Sequence, residues 1–227
     1  MDWPFLIDVA ERLLTGVPLT LELAAISLCL GFILAVAVTA AASSGFKPLR
    51  WLAKLHVELF RGTPLLVQIF VIYYGLGQIT LLRGSFLWPF LSQAYWCAIL
   101  ALSLNTSAYG AEIIRGAIAA VPDSEVEAAR AVGMSGLLLR RRIIWPIALR
   151  YGLANYGSEA ILMLKATSLA SVITLSEVTG IATKLIASTY RSLEIFVVAG
   201  ALYLALTFLI AMGLHWLERR LNPHMRA

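Results

Sequence analysis

Five apolar stretches of about twenty residues dominate this chain, and each is long enough to cross a hydrocarbon layer ~30 Å thick as a helix. They run near Leu19–Ala42, Pro64–Leu82, Ala94–Ile114, Gly152–Ile173 and Ile195–Trp216. The fourth is the least apolar, since it carries Glu159 and Lys165. In lipid every backbone N–H and C=O must be satisfied within the segment, so runs of this kind fold as helices. The expectation is an all-α polytopic membrane protein with five transmembrane helices. Only 14% of the 227 residues are charged and mean hydropathy is +0.83, where a soluble domain needs about 25% charged residues to wet its surface. No room remains for a soluble domain.

Basic residues then set the orientation, because Lys and Arg in short loops stay on the cytoplasmic side. One set of loops holds Lys47, Arg50, Lys54 and Arg61, then Arg115, Arg130, Arg140, Arg141, Arg142 and Arg150, then Arg219, Arg220 and Arg226. The opposite side holds Arg12, Arg83, Lys184 and Arg191. The N-terminus is thus expected in the periplasm and the C-terminus in the cytoplasm. The net charge of +5 reads as membrane orientation, not nucleic-acid binding, because the cations flank apolar runs. Residues 2–14 are too short and too charged to span, and read as an amphipathic helix at the outer interface. The first charges are acidic, unlike a secretory leader, so the first apolar run is expected to remain in the mature chain. Cys29 and Cys97 lack any metal or CxxC spacing and read as small buried residues. His56, His215 and His224 make no metal constellation.

Between the third and fourth spans lies a charged segment, residues 121–148, with the grammar of two short helices. Ser124 and Glu127 have the spacing of a capping box, and Gly133 suits a left-handed helix stop. Ser135 is placed to cap a second helix that ends before Pro146. A small-residue face between them fits the close approach of another protein; a plain solvated loop is the alternative.

At these residues the chain resembles a family. Glu127-Ala128-Ala129, then Gly133 after three residues, then Ile143 after nine with Pro146 in place, matches the EAA loop of bacterial ABC importer permeases. Trp145 stands where leucine is usual, and Asp123-Ser124 where Gly-Gln is common. Phe60-Arg61-Gly62-Thr63-Pro64-Leu65, Ala108-Tyr109-Gly110-Ala111-Glu112-Ile113 and Lys165-Ala166-Thr167-Ser168-Leu169 narrow the likeness to the polar amino-acid branch. Within it the chain is most similar to M subunits that carry histidine, lysine, arginine and ornithine, or opines. The resemblance implies a permease that pairs with a homologous subunit, two ATPase subunits that bind ATP and Mg, and a periplasmic solute-binding protein. It implies that Glu127, Ala128, Ala129, Gly133 and Pro146 belong to the coupling loop, and that this chain itself holds no cofactor. The implied domains are an N-terminal segment 1–15, a transmembrane domain 16–220 and a cytoplasmic tail 221–227.

Ionisable groups inside a membrane cost at least ~2.5 kcal/mol and mark functional candidates. Asn105, Tyr109 and Glu112 fall at i, i+4 and i+7 and give the third span a polar stripe. With Glu159 and Lys165 they form the candidate translocation pathway, Glu159 attracting a cationic amino group of the solute. Hydrogen bonding that only holds the helices together is the alternative. No GxxxxGK[ST], HExxH or GxSxG is present, so neither nucleotide hydrolysis nor a membrane hydrolase is expected here. A gradient-driven secondary transporter would tend to show two related halves, and none is visible. A simple membrane anchor would need no paired-helix loop.

Overall fold

The computed structural model describes residues 2–221, and every regular element among them is helical. Arg226, His224 and most of the tail expected at 221–227 lie outside the described residues. Helix α1 (Trp3–Leu14) is capped by Asp2, whose carboxylate accepts from the Phe5 N–H at 3.4 Å. It passes through Thr15–Gly16 into α2 (Val17–Ala42). The amphipathic reading of α1 holds, with its apolar face spent on protein: Val9 and Leu13 are buried against Val178, Ala182, Ile195 and Ala199.

Helix α2 lies against α7 (Ala94–Ala119) through small residues. Ala24, Ser27, Gly31 and Ala35 are buried along one stripe of α2, facing Ser103, Thr106 and Gly110. A Cβ on Gly31 would lie 1.8 Å from Thr106 Cγ2, so only glycine permits this approach. In lipid, where apolar surface gains nothing from meeting apolar surface, such close van der Waals packing holds helices together.

The second apolar run does not form the single span expected over 64–82. Helix α3 (Lys47–Gly62) ends at Thr63, extended (φ −117°, ψ 147°) as a residue before proline must be. Then come α4 (Leu65–Phe70), a π-helical turn at Val71–Gly75 and a 3-10 turn at Leu76–Gln78. The two halves are bent by 109°. Leu65–Gln78 reaches about 21 Å at 1.5 Å per residue, short of a full hydrocarbon core. Gly75 and Gly77, poor helix formers, sit at the end of the π-helical turn and within the 3-10 turn. Two short helices, α5 (Thr80–Arg83) and α6 (Trp88–Leu91), lead on to α7.

The fourth span starts earlier than expected. Helix α8 (Asp123–Ala131) is followed by α9 (Gly136–Leu139), which runs through a π-helical turn at Arg140–Ile144 into α10 (Trp145–Ala166). A 3-10 segment, Thr167–Ile173, continues it. There the hydroxyls of Thr167, Ser168 and Ser171 donate to the carbonyls three residues back at 2.6–2.7 Å, drawing them out of the α-helical ladder. Thr174 ends the run in the left-handed region (φ 73°), and α11 (Val178–Thr189) departs at 45°. Helix α12 (Ser192–Leu221) is the last element among the described residues and outruns the expected Ile195–Trp216. Three helices, Trp3–Ala42, Ala94–Ala119 and Ser192–Arg220, are long and apolar enough to cross a membrane alone, and the two bent pairs raise the count to five. Helices α3 and α11 occupy segments that hydropathy reads as loops. Cys97 is buried, whereas Cys29 is exposed along the side of α2 that faces α10, contrary to its reading as a buried residue.

Candidate functional site

Helix α8 begins one residue before the expected capping box. Pro122 holds the N-cap position in extended geometry (φ −60°, ψ 132°), so Asp123 is already helical and Ser124 makes no cap bond. Asp123 and Glu125 in the first turn instead meet the positive end of the helix dipole. The expected stop at Gly133 is present in full. Gly133 adopts φ +84°, Met134 N–H donates to Ala129 O at 3.0 Å and Gly133 N–H to Arg130 O at 2.9 Å, the paired bonds of a Schellman motif. Ser135 occupies the N-cap of α9 with no cap bond from its hydroxyl, so the expected side-chain cap does not form. Pro146 does not end a helix either. It lies in the first turn of α10, directly after the π-helical turn, and lacking an N–H it leaves no donor unsatisfied there.

The Glu-Ala-Ala triplet is divided by its own helix. Ala129 is buried, and Val126, one turn before it, packs on Ala117, Val121 and Ala148 beside Ile144 and Ile147. Glu127 and Ala128 are exposed on the other face, as is Ala131. The helix is thus seated on the ends of α7 and α10 and offers a charged, small-residue surface outward.

The polar stripe of α7 goes to the α3–α4 bend. Asn105 Nδ2 donates to Phe60 O at 3.2 Å and to Gln68 Oε1 at 3.0 Å. Gln68 Nε2 in turn donates to Phe60 O, Thr63 O and Thr63 Oγ1 at 2.9–3.0 Å. Tyr109 lies beneath the Arg61 guanidinium, 5.4 Å from ring centroid to Cζ. Glu112 sits 3.7 Å from Arg61 and 2.6 Å from Arg115. All three stripe residues therefore tie α7 to the residues around Phe60-Arg61-Gly62-Thr63-Pro64.

Glu159 and Lys165 are not brought together. Glu159, 7% exposed, receives one hydrogen bond, from the Thr106 hydroxyl of α7. Lys165 is exposed further along α10 and has no ion-pair partner among the described residues.

Gln68, Arg61 and Glu177 carry more of this framework than the sequence suggested. Glu177, fully buried, accepts from Gly180 N–H at 2.7 Å, Thr179 N–H at 2.9 Å and Tyr203 Oη at 2.7 Å. It caps α11 where a Cβ on Gly180 would meet Leu175 O at 1.9 Å. An acidic residue two and three places ahead of those N–H groups was the available signal for this N-cap.

The site thus consists of bent helices, a seated helix–turn–helix and one carboxylate, Glu159, buried between α7 and α10. Residues 27–223 match the family described as "binding-protein-dependent transport system inner membrane component", and the chain belongs to it. It is 51% identical to the octopine transport system permease protein OccM of Rhizobium meliloti, over 98% of this chain and 91% of that one. It is 49% identical to the nopaline transport system permease protein NocM of Agrobacterium fabrum (strain C58 / ATCC 33970), over 100% and 95%. A crystal structure of an amino acid ABC transporter with histidines superposes with TM-score 0.87 at 33% identity, covering 97% of this chain and 99% of that one. The chain is the membrane permease subunit of an ABC importer, and ATP hydrolysis resides on a separate subunit.

Proposed function

We propose that this permease imports a polar, basic amino acid or an opine-type derivative across the bacterial inner membrane. The likeness to octopine and nopaline permeases supports the solute class. It pairs with a homologous permease as a heterodimer, takes solute from a periplasmic binding protein, and faces two ATPase subunits that bind ATP and Mg. The N-terminus is periplasmic and the C-terminus cytoplasmic, as the basic loops require. The transmembrane domain is residues 16–220, between the segment 1–15 and the tail 221–227.

One observation carries the coupling assignment: α8 turns Val126 and Ala129 inward and Glu127 and Ala128 outward before a glycine stop. That seating lets a push on the outer face reach α7 and α10, the helices that hold Glu159 between them. Glu127, Ala128, Ala129 and Gly133 form the coupling element, and Pro146 opens the helix that carries the motion inward. Glu159 is the solute contact, a membrane-depth carboxylate with one protein hydrogen bond, and Lys165 lies on the same path. Asn105, Tyr109 and Glu112 contribute by holding the α3–α4 bend that borders it.

The test is transport into proteoliposomes holding the assembled importer. Charge reversal at Glu127 is expected to abolish solute-stimulated ATP hydrolysis with normal insertion; full stimulation would overturn the coupling assignment. Glu159→Gln is expected to lower uptake of cationic solutes, and unchanged uptake removes it from the pathway.

A further inference from the structure

Between α2, α7 and α10 runs a groove of about 980 Å³ to which the proposed transport cycle gives no task. Its walls are apolar, with Leu28, Phe32 and Val36 from α2, Ala117 from α7, and Trp145 and Leu149 from α10. Most polar groups along it are already engaged. Tyr156 Oη donates to Leu28 O at 2.8 Å, Thr39 Oγ1 to Ala35 O at 2.8 Å and Ser43 Oγ to Thr39 O at 3.0 Å. Phe32 and Tyr156 meet edge to face at 5.2 Å and wall one end. At the other stands Arg140, exposed and without an ion-pair partner among the described residues.

The dimensions match one lipid. From Leu28 to Ser43 α2 rises about 22 Å, against ~15 Å for half a hydrocarbon core. The trough therefore runs from near the middle of the bilayer to a headgroup layer, where its one cation lies. We infer that this groove holds one anionic phospholipid, an acyl chain along α2 and α10 and the phosphate at Arg140. A protein helix laid in the trough would have to place a carboxylate at Arg140 or leave a desolvated lone cation, which is costly. A lipid phosphate brings the charge with it, and guanidinium and phosphate pair through two parallel hydrogen bonds. Arg141 and Arg142 follow in the same π-helical turn and add to the positive field at that interface. The site rests on the membrane placement of the chain and on neither the solute nor the ATPase assignment.

Native mass spectrometry of the assembled importer, taken from bilayers of equal phosphatidylglycerol and phosphatidylcholine, tests it. The intact complex is expected to retain one phosphatidylglycerol per copy of this chain in preference to phosphatidylcholine. Arg140→Gln should cut that retention about fivefold, as one cation near an anionic surface supplies, and Arg140→Lys should keep most of it. Ala40→Trp, at an exposed groove position, should displace the lipid and leave the fold intact. Equal retention of the two lipids, or retention unchanged in both Arg140→Gln and Ala40→Trp, overturns the assignment. So does crosslinking of an Ala40→Cys variant to another protein subunit, which would make the groove a protein interface. Transport and ATPase activity are read separately, so loss of the lipid and loss of function stay distinguishable.

Discussion

Asn105 on α7 and Gln68 on α4 share a hydrogen bond of 3.0 Å at the inside of a 109° bend. Through it the α7 stripe reaches the carbonyls of Phe60 and Thr63, which the end of α3 leaves without helical partners. The bend is fixed by side chains because Pro64 forbids the backbone from continuing the helix. Replacing either amide by leucine leaves buried acceptors unpaired, at about 1–3 kcal/mol each. Thermal unfolding in detergent should show both losses, and the double variant should lose less than their total, since both act in one network.

Gly133 sits at φ +84° with no heavy atom within 4 Å of a built Cβ. Space is therefore not the constraint; handedness is. Gly133→Ala should cost about 1–2 kcal/mol in the left-handed conformation, borne by the α8–α9 turn. We expect weaker solute stimulation of ATP hydrolysis with little change in basal hydrolysis, and a smaller defect for Gly133→Asn, which tolerates the left-handed region better.

Glu177 is buried with three donors around it, one from α12 and two from the start of α11. Glu177→Ala removes all three acceptor contacts and frees two helix-terminal N–H groups. A loss on the order of 1–3 kcal/mol follows, with hydrogen exchange rising first in α11. Tyr203→Phe removes one contact only and should lose less.

The apolar runs were legible because lipid leaves helices few alternatives, and four of the five align with long helices. The second misled, since hydropathy reports what a segment contacts and not whether it stays straight. The Thr63-Pro64 step, visible in the sequence, was the warning. The Gly133 stop was legible because left-handed backbone restricts residue type severely. The caps at Ser124 and Ser135 were not: Pro122 moves the start of α8 so that Ser124 is already inside the helix, and Ser135 takes the N-cap position of α9 while its hydroxyl accepts from no N–H there. The α7 stripe is legible as a stripe, but its partners at the α3–α4 bend lie 37 to 51 residues away in the chain. Periodicity within one helix carries no information about distant partners. Helix α11 was missed because its cap, Glu177, resembles any loop acid until Tyr203 is placed beside it.

Asp2 and Arg191 join the first helix to the turn before α12 at 3.0 Å, and Arg191 also lies 3.8 Å over the Phe5 ring. The Arg191 guanidinium, and then the Phe5 N–H, hold the Asp2 carboxyl below its ordinary value of 3.8. A carboxyl whose folded value is depressed stabilises the fold fully above its unfolded value and stops doing so as pH falls through the folded one. The clamp on α1 should therefore be constant from pH 8 to about 5 and loosen below about pH 4, where the unfolded chain takes up the proton first. Hydrogen exchange of α1 amides across that range reads it directly. Asp2→Asn should exchange faster at neutral pH and lose the acid dependence, whereas Glu194, on the far side of the same guanidinium, keeps Arg191 in place. Since α1 packs on α11 and α12 through Val9 and Leu13, the effect should stay local, with α2 and α7 amides unchanged. A loosening that spread to α7 would show that α1 is a required part of the bundle and not a strap laid over it.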